Sequence, residues 1–260
     1  MIYGIFFLVS LCASLIGSVC GIGGGIIIKP TLDAFRIMSA ASISFLSGCT
    51  VLAMSMVSVY KITKNGDVKI QKRTGTPLAI GAAVGGVIGS QLFHRITDYA
   101  ANPDMVGHVQ SCIMVVMMVM ILLYTLFSMK LRSFHVANRM CCILLGMLLG
   151  MLSAFLGIGG GPLNLAVLSV CFSMDIRQAA ANSLYIILFS QSASLLVTVL
   201  GGNVPDFHLL SLVVMVAAGV LGAHMGRKLN GYLTGRQVRY LYLCVCIAIL
   251  GLSIYNVSAI

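Results

Sequence analysis

The sequence contains no glutamate and little charge of either sign: 8% of its 260 residues are Asp, Glu, Lys or Arg. A chain this poor in charge cannot clothe itself in a polar shell, which excludes an ordinary water-soluble domain. Its six acidic residues are all aspartates. Asp33 and Asp175 fall at the ends of apolar segments, which argues against a cation pathway lined by carboxylates. There is no C-x-x-C pair, and Cys12, Cys20, Cys49, Cys112, Cys141, Cys142, Cys171, Cys244 and Cys246 all sit within apolar stretches. They read as small packing residues rather than as a disulfide framework or a zinc site. No G-x-x-x-x-G-K-[ST] element, H-E-x-x-H element or paired acidic set occurs, so neither ATP-driven work nor hydrolytic chemistry has its residues, and no cofactor or metal is expected. The first apolar stretch has no basic n-region and no clear cleavage site, and is read as a retained helix rather than a signal peptide.

What the chain does have is hydrophobic length. Of its residues 59% are hydrophobic and the mean hydropathy is +1.05. Eight apolar runs reach membrane length, near 2–20, 39–60, 77–94, 109–129, 139–156, 178–200, 208–227 and 236–256. Two further apolar pieces, 25–36 and 161–174, are too short to cross comfortably and are expected as half-helices paired with the helix before each. The Met-rich run from Ile113 to Met120 points around a helix rather than converging, and is read as lipid-facing packing, not a soft-metal site.

The net charge of +10 does not signal nucleic acid, because the basic residues form no continuous face with interleaved aromatics. They cluster in short connections instead. One cluster is Lys61, Lys64, Lys69, Lys72 and Arg73; a second is Lys130, Arg132 and Arg139; a third is Arg227, Lys228, Arg236 and Arg239. By the positive-inside rule these connections face the cytoplasm. The connection 95–108, with Asp98 and Asp104 against Arg95, and 201–207, with only Asp206, belong outside. Ten segments result, with both termini outside a cytoplasmic membrane.

The chain also repeats itself. "GIGGG" at Gly21–Gly25 returns at Gly157–Gly161, "SAASIS" at 39–44 resembles "QAAANS" at 178–183, "GDV" at 66–68 lines up with "GNV" at 202–204, and "GGVIGSQL" at 85–92 answers "AGVLGAHM" at 218–225. The loop around Gly66 is basic and its counterpart around Gly202 is nearly uncharged, so equivalent loops fall on opposite sides. The fold expected is therefore an all-α integral membrane protein of two inverted repeats, 1–130 and 138–260, joined by a cytoplasmic linker at 130–138. Each repeat holds four full spans and one short broken helix.

Four glycines in five residues cost a helix about 1 kcal/mol each relative to alanine, and in hydrocarbon the freed backbone groups need new partners. A break directly followed by a new helix also presents unpaired N–H groups at a positive dipole end, which suits an anion. Gly21, Gly23, Gly24, Gly25, Gly157, Gly159, Gly160 and Gly161 are thus candidate substrate-binding residues. By contrast, Gly81, Gly85 and Gly89 have the small-xxx-small spacing of tight helix contacts. The same glycine elements, the "GDV" loop and the G-x-x-G pattern of the fourth segment resemble the sulfite exporter TauE/SafE family of membrane permeases over essentially the whole chain. That resemblance implies transport of a sulfur-containing anion such as sulfite or an organosulfonate.

Among side chains, Lys29 lies where a charge is expensive, and could contact the anion or pair with Asp33 one turn on. The second copy has Asn164 in this neighbourhood. Ser42, Ser44, Asn182 and Ser183 sit early in the third segment of each half and could donate to substrate oxygens or join helices. Gln191 lies mid-span and is expected to face the pathway. Gln91 and His224 occupy matched positions, and His224 is weighed as a proton-coupling group against a histidine that is simply hydrogen-bonded.

The reading of function is a secondary transporter, an exporter by preference, of small sulfur-containing anions by alternating access around the two breaks. An anion channel and a carrier of unrelated small organic carboxylates are the alternatives, and an enzyme is disfavoured. The expected partners are the anion and the lipid bilayer; a homodimer is compatible with this reading.

Overall fold

The computed structural model describes residues 2–35, 37–66, 68, 70–99, 103–127 and 138–258. Among these there are ten α-helices and no strand: α1 (Ile2–Cys20), α2 (Gly25–Phe35), α3 (Ala40–Asn65), α4 (Lys72–Tyr99), α5 (Pro103–Phe127), α6 (Arg139–Leu156), α7 (Gly161–Phe172), α8 (Ile176–Leu200), α9 (Leu209–Tyr232) and α10 (Gly235–Ser258). Eight are long and apolar enough to cross a membrane. The other two, α2 and α7, have 11 and 12 residues, about 17 Å of helix each. The linker 130–138, apart from Asn138, lies outside the described residues, as do Lys69, Lys130 and Arg132 and the side chains of Lys72, Asp98 and Asp104.

Local chemistry sets the helix ends. Ser39 caps α3 by accepting from Ser42 N, Asn138 caps α6 by accepting from Met140 N, and Asp175 caps α8 by accepting from Gln178 N. Gly66 closes α3 in the left-handed region, φ 69°, and its sequence counterpart Gly202 takes the same φ after α8.

Helices pack where glycine lets backbones approach. Gly81, Gly85 and Gly89 of α4 lie against the carbonyls of Ile143, Met147 and Met151 of α6, while Gly146 and Gly150 lie against Leu78 and Ala82. Both positions advance together along the chain, so α4 and α6 run parallel. On the other side of the molecule Gly222 and Gly226 of α9 meet Leu11 and Leu15 of α1, again in parallel. The closest helix pairs are thus α4 with α6 and α1 with α9. This is close backbone packing of the kind that stands in for hydrophobic collapse inside lipid.

The two ends of the bundle follow from the contacts. One end gathers the start of α1 (Phe6), the end of α2 (Leu32), the start of α3 (Ile43), Phe207 and the start of α9 (Leu212, Met215). The opposite end gathers the end of α3 (Ile62), the start of α8 (Ala181, Leu184) and Ala223 late in α9. There Gln71, just before α4, donates its N–H to Asn182 Oδ1 of α8 at 3.1 Å. α4 therefore starts at the second end, and α6, parallel to it, starts there too, whereas α1 starts at the first.

The Met-rich run divides. Met114, Met117 and Met118 are buried in the main core and Met120 is 61% exposed, so the helix faces both ways and most of these methionines fill the interior rather than meeting lipid. Their unbranched thioethers suit the irregular gaps between α5 and its neighbours. Cys20, Cys142 and Cys246 are likewise buried, while Cys12, Cys112, Cys141 and Cys244 lie on exposed apolar helix faces.

Candidate functional site

The glycine runs separate α1 from α2 and α6 from α7. Gly21 (φ 75°), Gly157 (φ 65°) and their followers Gly23 (68°), Gly159 (77°) and Gly160 (70°) hold left-handed backbone that other residues adopt only with strain. The last glycine of each run serves a different purpose. A Cβ on Gly161 would overlap the carbonyl of Ile22, and one on Gly25 would sit 2.8 Å from the carbonyl oxygen of Ile158. Each break therefore admits the backbone of the other, and the two copies form one buried crossing.

Lys29 lies one turn into α2 and is only 3% exposed. Its Nζ donates to Ser44 Oγ at 2.8 Å and to Gln110 Oε1 at 2.9 Å, and stands 3.9 Å from Asp33 Oδ2. Gln110 in turn donates from Nε2 to the carbonyl of Phe155, two residues before Gly157. Ser47 Oγ donates to the carbonyl of Gly157 at 3.0 Å, and a Cβ on Gly157 would come within 2.6 Å of Ser44 Oγ. One ammonium thus ties α2, α3 and α5 to the second break. Because Ser44 Oγ accepts from a cation, its own proton is free to point elsewhere, and the bond polarises it as a donor.

That hydroxyl borders a cleft of about 470 Å³, counting its open mouth. The lining runs from Pro205, near Phe207 at the first end of the bundle, inward to Gly157 and Gln191. One part of its wall is polar: Ser44, Ser90, His94, Gln191, Ser194 and Thr198. The rest is apolar or small, with Phe45, Phe93, Leu195 and Pro205 the bulkiest members. Ser90 Oγ and Thr198 Oγ1 are 3.1 Å apart, and His94 Nε2 is 3.3 Å from the same Thr198 oxygen. Among the described residues no lysine or arginine lines it. An apolar cleft with a few convergent donors is the usual form of a small-ligand site.

Of the residues expected from the sequence, Ser44, Gly157 and Gln191 line this cleft and Lys29 stands directly behind Ser44. Gly21, Gly23, Gly24, Gly25, Gly159, Gly160 and Gly161 are buried in or beside the crossing and do not line it. Asn164 is buried near Gly160, its Oδ1 without a hydrogen-bond partner. Asn182 and Ser183 lie at the opposite end, where Asn182 accepts from Gln71 N and donates to the carbonyl of Gln178, and Ser183 Oγ has no partner. Ser42 donates to the carbonyl of Asp206 and so fastens a loop. Gln91 and His224 are exposed on outer helix faces, away from the cleft lining. Ser90, His94, Ser194 and Thr198 were missed. Their signal was there: Ser90 and His94 are four apart, and Gln191, Ser194 and Thr198 follow at helical spacing on one face. Among the described residues no group of three or more His, Cys, Asp or Glu side chains is placed to hold a metal ion.

The profile of the family described as Sulfite exporter TauE/SafE matches residues 6–253. The chain is also 24% identical over 260 aligned residues to the probable membrane transporter protein YunE of Bacillus subtilis (strain 168), with 88% of this chain and 90% of that protein covered. No solved structure matches. With both glycine breaks, the cleft and all eight membrane-length helices inside or overlapping the matched span, the chain belongs to the TauE/SafE family of membrane transporters.

Proposed function

We propose that this transporter carries small sulfur-containing anions, sulfite or organosulfonates, as a secondary exporter that works by alternating access. The observation that carries the reading is the position of Lys29. A buried ammonium held against Ser44 places positive potential behind a hydroxyl that faces a cleft of neutral donors, an arrangement that attracts an anion without a surface charge to bind it irreversibly. The family's description names sulfite export, which agrees with a cleft of this chemistry. The charge distribution of the connections supports both termini outside a cytoplasmic membrane. In that orientation the membrane potential favours anion efflux by about 2.3 kcal/mol per charge per 100 mV, so export needs no coupled ion.

The matched sequence elements, the opposite starting ends of α1 and α6 and the reciprocal packing of α1 on α9 and α4 on α6 support two inverted repeats that rock against each other. The experiment is flux in proteoliposomes, comparing sulfite, thiosulfate, sulfoacetate, taurine and acetate, with Ser44→Ala and Gln191→Leu alongside. Saturable flux of a sulfur oxyanion that falls in both folded variants is the expected outcome. Acetate carried in preference to every sulfur anion, or wild-type rates in both variants, would refute the reading.

A further inference from the structure

We infer that Asp33 sets the charge of the anion this cleft accepts, confining it to singly charged oxyanions by offsetting part of the potential that Lys29 places at the wall through Ser44. The inference rests on the cleft being the anion site. Lys29 is the cation that touches the cleft wall, through Ser44. Alone it would give the site a net positive charge and favour a dianion. It is not alone: Asp33, one helical turn on, brings Oδ2 to 3.9 Å.

That separation is too long for a hydrogen bond, so Asp33 does not hold the ammonium in place. Ser44 and Gln110 do that, at 2.8 and 2.9 Å. Nor is Asp33 engaged elsewhere through its second oxygen, because Oδ1 is buried without a hydrogen-bond partner. What the carboxylate supplies is charge, at a depth where charge acts over several ångströms with little screening.

The remaining lining can solvate one negative charge and not two. Ser44 and Ser194 offer hydroxyls and Gln191 an amide, whereas Thr198 gives its proton to the Ser194 carbonyl, Ser90 is bonded to Thr198 Oγ1, and His94 is an imidazole engaged with that same oxygen. These are dipoles; a second negative charge would meet no compensating cation and would be repelled by Asp33 from behind the wall. The cleft therefore takes a sulfonate or hydrogen sulfite ahead of sulfite, thiosulfate or sulfate dianions. Asp33 acts as a specificity residue through Lys29 and does not itself touch the anion.

Methanesulfonate and thiosulfate test this, since they are nearly the same shape and differ by one charge. Initial rates of each are measured in proteoliposomes at pH 8, to keep imidazoles neutral, for wild type, Asp33→Asn and the double variant Lys29→Met/Asp33→Asn. Wild type is expected to favour methanesulfonate at least tenfold in kcat/KM. Asp33→Asn moves the ratio toward thiosulfate by tenfold or more, chiefly through KM, and the double variant, neutral again, returns it toward the wild-type value. Asp33→Ser replaces Asp33→Asn should the latter fail to give monodisperse protein. Wild type that carries thiosulfate as well as or better than methanesulfonate, or an unchanged ratio on neutralising Asp33, overturns the inference while leaving anion transport standing. Carriage of neither probe by wild type, with acetate carried instead, overturns the proposed function and this inference with it.

Discussion

Gly161→Ala is the sharpest perturbation of the crossing between the two breaks. Gly161 is the first residue of α7 and its φ is not left-handed, so the new methyl brings no backbone strain of its own. Alanine even favours helix over glycine by about 1 kcal/mol. Against that gain, the methyl would occupy the space of the Ile22 carbonyl, a backbone group that cannot swing aside as a side chain does. Overpacking of a well-filled interior costs typically 1–3 kcal/mol, and the rigid obstacle places this case near the top, roughly 3 kcal/mol. The net loss is then about 2 kcal/mol, which for a chain of this size corresponds to roughly 4–8 °C in Tm by the scaling of soluble domains. Thermal unfolding of purified protein in one detergent reads the shift, with Gly251→Ala as the control. A methyl on Gly251, in α10, meets nothing within 4 Å, so that variant is expected to be as stable as wild type or more so by about 0.5–1 kcal/mol. If Gly161→Ala melts with Gly251→Ala and keeps wild-type flux, the two breaks do not pack backbone to backbone as described.

Three further outcomes are expected. Gly85→Leu forces apart α4 and α6, where Gly85 meets the Met147 carbonyl, and is expected to lose more than about 3 kcal/mol or the monodisperse peak in size-exclusion chromatography. Ser44→Ala removes an acceptor from Lys29 and a donor from the cleft, and is expected to lower kcat/KM for the transported anion at least tenfold, about 1.4 kcal/mol, with Tm changed far less than in Gly85→Leu. Ser194→Trp fills the cleft from α8 and is expected to abolish flux while the protein still unfolds cooperatively; undiminished flux would place the pathway elsewhere.

Much of the fold was legible because membrane physics writes it in long apolar runs. The two short helices were legible from the glycine runs that isolate them, and α7 ends two residues earlier than expected only because Ser173 and Met174 leave the helix at a left-handed turn. Helix ends in polar connections were harder: α4 begins at Lys72 and ends at Tyr99, beyond the apolar core at 77–94, since a helix continues through charged residues once nucleated. The site was legible in part. Lys29 and Gln191 could be named because a charge or amide in an apolar run is costly, Gly157 because it opens the repeated glycine run, and Ser44 because it holds a matched position early in the third segment. The anion role expected of the breaks' glycines came from their N–H groups, but Gly25 and Gly161 lie against the backbone of the opposite break and Gly21 against Ala180, a tertiary fact that no spacing reveals. Ser90, Ser194 and Thr198 were passed over because serine and threonine in membrane helices so often bond to their own backbone, as Thr198 also does to Ser194, and His94 because it lies at the edge of its apolar run.

The asymmetry between the two ends bears on mechanism. The cleft lies toward the end that holds Pro205, between the start of α3 and the end of α8. By the sequence repeat its counterpart lies between the end of α3 and the start of α8, where Ser183 answers Ser44, Ala223 answers Ser90 and Arg227 answers His94. That region is filled: Met54, Ile62, Ala181, Leu184 and Ala223 form one buried cluster, and Ser18 Oγ lies 3.1 Å from Ser58 Oγ and donates to the carbonyl of Ala223. Elements matched by the sequence repeat thus differ in packing, one set around a cleft and the other around a buried apolar cluster. Under the proposed alternating access these packings exchange, so the Met54 cluster must separate while Phe45, Phe93 and Leu195 close over the present mouth. The apolar area hidden at one end is then replaced at the other, and the two states can differ little in free energy although each buries a different set of side chains. Under the same proposal Lys29 and Ser44, beside the second break, are where the substrate is held while neither end is open.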